Sequence, residues 1–220
     1  MSKKFLFQGQ GDRMKPTEIE SRSFAIIESE IPEPRPFKGH EWLVVRRMIH
    51  TSADFELLTL THFHPEAVSR GVEALSRGCL IITDTEMARV GITQNRLTGL
   101  GSSVECYINH PEVIEKARKE NSTRSASAVD YALEKLNGNI CAIGNAPTSL
   151  LRLLYWMEKG RCNPALIVGM PVGFVNAKES KDALMSQKQA PFITIKGRKG
   201  GSTLAATVVN QLAEIALGKK

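Results

Sequence analysis

The strongest chemical signal in the sequence is a basic, glycine-rich turn at residues 196–202, Lys-Gly-Arg-Lys-Gly-Gly-Ser. It follows an apolar run and precedes a helical pattern. The free N–H groups at the start of that helix would therefore lie beside the Lys and Arg side chains, and the two together favour an anion. The spacing matches neither the P-loop nor the dinucleotide fingerprint. A solvated basic turn is the alternative interpretation.

Two further turns combine proline and glycine where an apolar run gives way to a helical pattern. They are residues 144–148, Gly-Asn-Ala-Pro-Thr, and residues 169–173, Gly-Met-Pro-Val-Gly. Proline stiffens the backbone, and glycine lets a ligand approach it closely. Either turn alone is equally consistent with a tight structural connection.

Among the five histidines, His50 is the candidate for proton transfer. The pattern predicts that it ends a helix over residues 39–50, with Arg46 and Arg47 on the same side. A histidine that only caps the helix is the alternative. His62 and His64 have H-x-H spacing, but no carboxylate or cysteine set nearby completes a metal site. We therefore predict no bound metal.

Five short apolar runs must position these turns: residues 79–83, 104–108, 139–143, 165–168 and 192–195. Most precede helical patterns, which predicts a parallel sheet covered by helices on both faces. The carboxyl ends of such strands lie at one edge, so we expect the turns to line a single rim. No linker-like composition divides the chain. We predict one domain over residues 1–220, with a helical N-terminal extension and a loose arm over residues 1–16.

The composition favours a small anionic ligand. The net charge is +6, but aromatic residues make up only 6% of the chain and no helix has a dense basic face, which argues against nucleic acid. No apolar run is long enough to span a membrane, and the N-terminus becomes polar too soon for a signal peptide. The four cysteines have no C-x-x-C spacing and are expected to be reduced. These features predict a cytoplasmic protein.

Six motifs occur in order along the chain: Arg22-Ser23-Phe24, Arg47-Met48-Ile49-His50, Thr123-Arg124-Ser125, Gly144-Asn145-Ala146-Pro147-Thr148, Pro171-Val172-Gly173-Phe174-Val175 and Gly197-Arg198-Lys199-Gly200-Gly201-Ser202. Together they resemble the precorrin-8X methylmutase family over nearly the whole chain. Asn176 departs from the family pattern, which usually has a small residue there.

The resemblance implies a fold and an activity. The fold is three-layer α/β/α, with a flavodoxin-like five-stranded parallel sheet, in a homodimer. The implied activity is that of an isomerase in the biosynthesis of cobalamin and of porphyrin-type tetrapyrroles. It moves a methyl group from C11 to C12 of precorrin-8X or cobalt-precorrin-8 and gives hydrogenobyrinate or cobyrinate. No cofactor is implied, because the migrating methyl group is already on the substrate.

The resemblance also implies roles for residues. His50 matches the catalytic histidine, which protonates the macrocycle. The substrate site would comprise Arg22, Ser23, Arg47, Thr93, Arg124, Asn145, Gly173, Arg198, Gly201 and Ser202.

Two other functions remain open on the sequence alone. A non-catalytic tetrapyrrole carrier would keep the anion-binding turns without needing a proton donor. A nucleotide-binding flavodoxin-like regulator would use the same sheet edge. Neither explains the ordered motifs. The sequence does not decide whether the natural substrate contains cobalt.

Overall fold

A computed structural model describes residues 15–218, which divide into two compact units at the Arg35–Pro36 junction. The first unit contains helix α1 (Pro16–Glu30). Lys15 precedes α1, and its backbone N–H donates to the Glu18 carboxylate at 3.1 Å, which satisfies one group at the helix start. The loose arm predicted for residues 1–16 lies almost entirely outside the described residues. The single domain predicted over residues 1–220 remains a prediction.

The second unit is built on a six-stranded sheet. Its strands are β1 (Thr61–Phe63), β2 (Leu80–Thr83), β3 (Ser103–Cys106), β4 (Ile140–Ile143), β5 (Leu166–Gly169) and β6 (Phe192–Ile195). Their order is β1-β6-β5-β4-β2-β3, with β1 antiparallel to β6 and all other pairs parallel.

The prediction of a five-stranded, wholly parallel sheet omitted strand β1. The five predicted runs do form parallel strands, but a sixth, antiparallel strand adds to the β6 edge. The sequence does not reveal it because β1 has only three residues, and two of them are half-buried. An edge strand this short has no continuous apolar run.

The helices of this unit are α2 (Gly39–Ser52), α3 (Leu57–Leu60), α4 (Ala67–Ser76), α5 (Glu86–Gly91), α6 (Gln94–Thr98), α7 (Pro111–Lys119), α8 (Arg124–Tyr131), α9 (Pro147–Glu158), α10 (Ala177–Ser186) and α11 (Ser202–Ala216), with a 3₁₀ turn at Leu133–Leu136. Those between β2 and β6 form the crossover connections that parallel strands require. Helices α2 and α3 precede β1, α4 joins β1 to β2, and α11 follows β6. None of the helices in the described part of the chain is both long and apolar enough to cross a membrane.

Helix α11 organises one of the two helical layers. It packs against α2, α4 and α5, whereas α7, α8, α9 and α10 pack on one another with the other face of the sheet. Eleven of its 15 residues are buried. Strands β4, β5 and β6 are buried along their whole length, as strands covered on both faces must be.

Candidate active site

The strand order reverses between β2 and β4, which is where open α/β sheets form a ligand crevice. Asp84 follows β2 at this point and is buried. Its carboxylate accepts hydrogen bonds from the backbone N–H groups of Gly144, Asn145 and Ala146 at 2.9, 2.8 and 2.7 Å. Burial raises the pKa of Asp84, while these three donors oppose the rise.

The turn after β4 is therefore fixed by the protein itself. We expected Gly144 to let a ligand approach, but a Cβ at this position would lie 2.5 Å from the Cα of Ser202. The glycine instead lets the start of α11 pack against the turn. The side chain of Asn145 is exposed and remains the part of this turn that faces outward.

The basic turn before α11 packs on the turn after β5. The N–H of Gly201 donates to the Met170 carbonyl at 2.9 Å, and the N–H of Gly173 donates to the Arg198 carbonyl at 3.2 Å. The exposed Arg198 guanidinium lies 5.4 Å from the centre of the Phe174 ring, a cation–π contact. The structure thus brings Gly173, Arg198, Gly201 and Ser202 together at one edge of the sheet.

Ser202 does not cap α11, contrary to our expectation. It is the first residue of the helix, and Gly201 occupies the capping position without a side chain to donate or accept. The Ser202 hydroxyl instead shares a hydrogen bond of 2.8 Å with the hydroxyl of Thr85. No capping side chain therefore accepts a hydrogen bond from the N–H groups at the start of α11. An anion site at a helix start requires N–H groups that are not capped in this way.

Helix α2 runs antiparallel to α11, and this arrangement positions His50. Three contacts define it: Arg47 donates to Gln211 at 3.0 Å, Thr51 bonds Thr207 at 3.1 Å, and the Lys199 ammonium bonds Asp54 at 2.6 Å. The last turn of α2, which carries the exposed His50, therefore points toward the rim where α11 begins.

His50 borders a polar cavity of about 180 Å³ between α2, α6 and α11. The cavity is lined by Arg47, His50, Thr51, Arg96, Thr207, Asn210, Gln211 and Glu214. The Glu214 carboxylate accepts from both Arg47 and Arg96, at 3.1 and 2.6 Å. Sequence analysis missed Arg96 and Glu214, which no local motif marks.

Thr93 lies next to this cavity, at the start of α6. Its hydroxyl accepts from Arg96 at 2.8 Å, and its backbone N–H donates to the Asn210 side chain at 2.8 Å. Three of the predicted site residues, Arg47, His50 and Thr93, are thus gathered around one stretch of α11.

The remaining predicted residues occupy two places. Arg124 begins α8, is exposed, and donates to Asn109 at 3.4 Å, while the hydroxyl of the preceding Thr123 donates to Thr148 at 3.0 Å. Arg124 therefore lies beside the turns that follow β3 and β4. Arg22 and Ser23 lie on α1 in the first unit, where the Ser23 hydroxyl donates to the Ile19 carbonyl at 2.9 Å. Their part in the site stays a prediction.

Asn176, the departure noted in the sequence, precedes α10 with φ of 60°. This is the left-handed region, which asparagine tolerates better than most residues with a Cβ. The substitution is compatible with the local backbone.

Comparison with known proteins gives consistent matches. A sequence model of the precorrin-8X methylmutase family matches residues 18–215. The cobalt-precorrin-8 methylmutase of Priestia megaterium is 40% identical, covering 92% of this chain and 89% of the relative. The precorrin-8X methylmutase of a Sinorhizobium species is 42% identical, covering 89% and 92%. The crystal structure of a precorrin-8x methyl mutase from Thermus thermophilus superposes with a TM-score of 0.84 at 44% identity, covering 91% and 96%.

Proposed function

The chain belongs to the precorrin-8X methylmutase family, and we infer that it is the isomerase of cobalamin biosynthesis that moves a methyl group from C11 to C12 of precorrin-8X or cobalt-precorrin-8. In this reaction the C11–methyl bond breaks and the C12–methyl bond forms within one molecule. The atoms therefore balance without a second substrate. The enzyme has to supply a proton at the ring and a rigid grip on it.

The observation that carries this proposal is the place of His50. It lies in the last turn of α2, at the wall of a polar cavity, on a helix directed toward the anion-binding rim. Ser202 and Thr207 are five residues apart on α11, about 8 Å along the helix axis at 1.5 Å per residue. A tetrapyrrole held at the rim by its carboxylates could therefore reach the imidazole, which would donate the proton that assists the methyl shift.

The cationic rim matches the substrate's many carboxylate side chains. We propose that Arg124, Asn145, Gly173, Arg198, Gly201 and Ser202 contact those carboxylates, and that Arg47 and Thr93 act beside His50. Arginine forms charge-assisted, two-point contacts with carboxylate, and a helix start adds N–H donors. The glutamate shared by Arg47 and Arg96 keeps both guanidinium groups oriented at the cavity.

Several finer features belong to the same proposal. The order β3-β2-β4-β5-β6 of the parallel strands supports a flavodoxin-like arrangement, with β1 as an added edge. We propose a homodimer. In support of it, the apolar side chains of Phe174 and Val175 are 83% and 78% exposed at the rim.

The cytoplasmic location predicted from the sequence stays a prediction. Relatives named for both substrates have similar identity to this chain, so identity does not select between the cobalt and the metal-free ring.

Incubating the purified protein with each of the two substrates tests the proposal, because isomerisation changes the conjugation of the ring and hence its visible spectrum. We expect conversion of at least one of them, with mass unchanged. Binding of the corrinoid product without any conversion would instead indicate a carrier, a function that the family relationship does not support.

A further inference from the structure

Lys181 on α10 is fully buried, with no exposed surface. Lysine is almost never fully buried without a charged partner. Here the ammonium donates to a neutral group, the backbone carbonyl of Lys199, at 2.5 Å. Burial lowers the pKa of this amine to about 8. A methionine of similar length would fill the same space without desolvating a charge, so packing alone does not account for the lysine.

The carbonyl that Lys181 holds lies in the middle of the basic turn before α11. In a trans peptide the carbonyl and the following N–H point in opposite directions. The Gly200 N–H is therefore directed away from Lys181, and no hydrogen bond among residues 15–218 uses it. By contrast, the next N–H, from Gly201, is bound to the Met170 carbonyl at 2.9 Å.

The side chain of Lys199 anchors the same turn from the opposite direction. Its ammonium lies 2.6 Å from the Asp54 carboxylate and 3.1 Å from the Glu56 carboxylate. These two residues follow the end of α2, the helix that carries His50. The turn is thus fixed by its backbone to α10 and by its side chain to the segment after α2.

We propose that Lys181 is a positioning residue for substrate binding, holding the Lys199–Gly200 peptide so that the Gly200 N–H, together with Arg198 and the start of α11, meets a carboxylate of the corrinoid. This inference rests on the proposed function. Lys181 does not touch the substrate; it acts through the peptide that it orients. A buried polar group kept where an apolar one would fit is expected at functional sites.

The test compares Lys181→Met with Lys181→Arg, measuring steady-state kinetics and the affinity for the coloured corrinoid product. Loss of one oriented contact to a carboxylate should raise KM and weaken product affinity about tenfold in the methionine variant, which corresponds to about 1.4 kcal/mol. We expect kcat to change less than about threefold, because His50 is untouched. The arginine variant should recover part of the affinity, since it restores a charged donor.

Lys178→Met is the matched control, three residues earlier on α10, where the lysine is exposed and paired with Asp182 at 2.8 Å. It should behave as wild type. If Lys181→Met does not fold, Lys181→Leu, which also lacks a donor for the Lys199 carbonyl, provides the same comparison.

A folded, neutral Lys181 variant with wild-type KM and product affinity would overturn the proposal. Failure of both neutral variants to fold would also overturn it, because Lys181 would then be a structural support. Turnover by the wild-type protein tests the proposed function separately, so a failure of either conclusion can be recognised on its own.

Discussion

Arg47 and Glu214 form an ion pair of 3.1 Å that joins α2 to α11 beside His50. The same carboxylate holds Arg96 at 2.6 Å. The two guanidinium groups would repel each other in the absence of Glu214, and the glutamate side chain is only 13% exposed. Glu214 is therefore the group that allows two arginines to line one wall of the cavity.

Glu214→Gln should lower the free energy of unfolding by about 1–3 kcal/mol, because two charge-assisted hydrogen bonds lose their acceptor charge in a partly buried place. Urea denaturation measures this. Glu73→Gln is a matched control, since Glu73 also contacts two arginines, Arg70 and Arg77, but is 50% exposed. Exposed pairs contribute little, so the control should change by less than about 1 kcal/mol. Equal losses in the two variants would contradict the role assigned to Glu214.

His50→Ala should reduce turnover roughly 10²–10⁴-fold, the usual contribution of a positioned acid or base, while leaving product affinity near its wild-type value. His40→Ala, an exposed histidine at the other end of α2, serves as the control and should retain full activity. Conversion at wild-type speed by the His50 variant would show that the proton comes from another group.

The parallel part of the fold was predictable because its strands are continuous apolar runs. Strands that are covered on both faces consist almost entirely of apolar residues. The predicted bounds of β4 and β6 accordingly agree with the structure to within one residue. Strand β1 was not predictable, because its three residues form a half-buried edge that pairs with β6 more than 120 positions later.

The candidate site likewise has one part that the sequence predicts and another part that it does not. Turns at the carboxyl ends of strands meet at one rim by topology, so their proximity follows from the strand pattern. The partners of Arg47 lie 164 and 167 positions away, on a helix whose pattern indicates only a buried face. Their meeting depends on how α2 packs on α11, which no local spacing encodes.

Arg124→Ala and Arg198→Ala should each weaken binding of the corrinoid product by a factor of about 10, and the loss should shrink at higher ionic strength because both residues are exposed. Arg118→Ala is the control, because Arg118 is also an exposed arginine. Helix α7 begins at the rim, and Arg118 lies in its last turn, at the opposite end from the rim. Titrations at two salt concentrations measure the effect. Affinities independent of both salt and these arginines would refute a carboxylate site at the rim.

The protein should be a homodimer in solution. A rim on one chain could cover only one face and an edge of a broad, flat corrinoid, whereas ligand sites usually enclose most of the ligand surface. Light scattering on the intact protein should give twice the chain mass of 24.2 kDa. A monomer with full activity at nanomolar concentration would be the contrary result.

The contribution of Lys181 to the free energy of unfolding should increase with pH between about 8 and 10.5. The folded protein releases the Lys181 proton near pH 8, while the unfolded chain holds it up to the ordinary pKa of 10.5. Unfolding in this window takes up a proton, so raising the pH disfavours unfolding. Below pH 8 both states are protonated, and the folded state bears the full cost of the buried ammonium. Urea denaturation across this range measures the difference in unfolding free energy between the wild type and Lys181→Met, which should shift in favour of the wild type as the pH rises. The exposed-lysine variant Lys178→Met should not show this shift in favour of the wild type, because Lys181 is intact. Identical pH profiles for wild type and Lys181→Met would show that the buried amine does not titrate in this window.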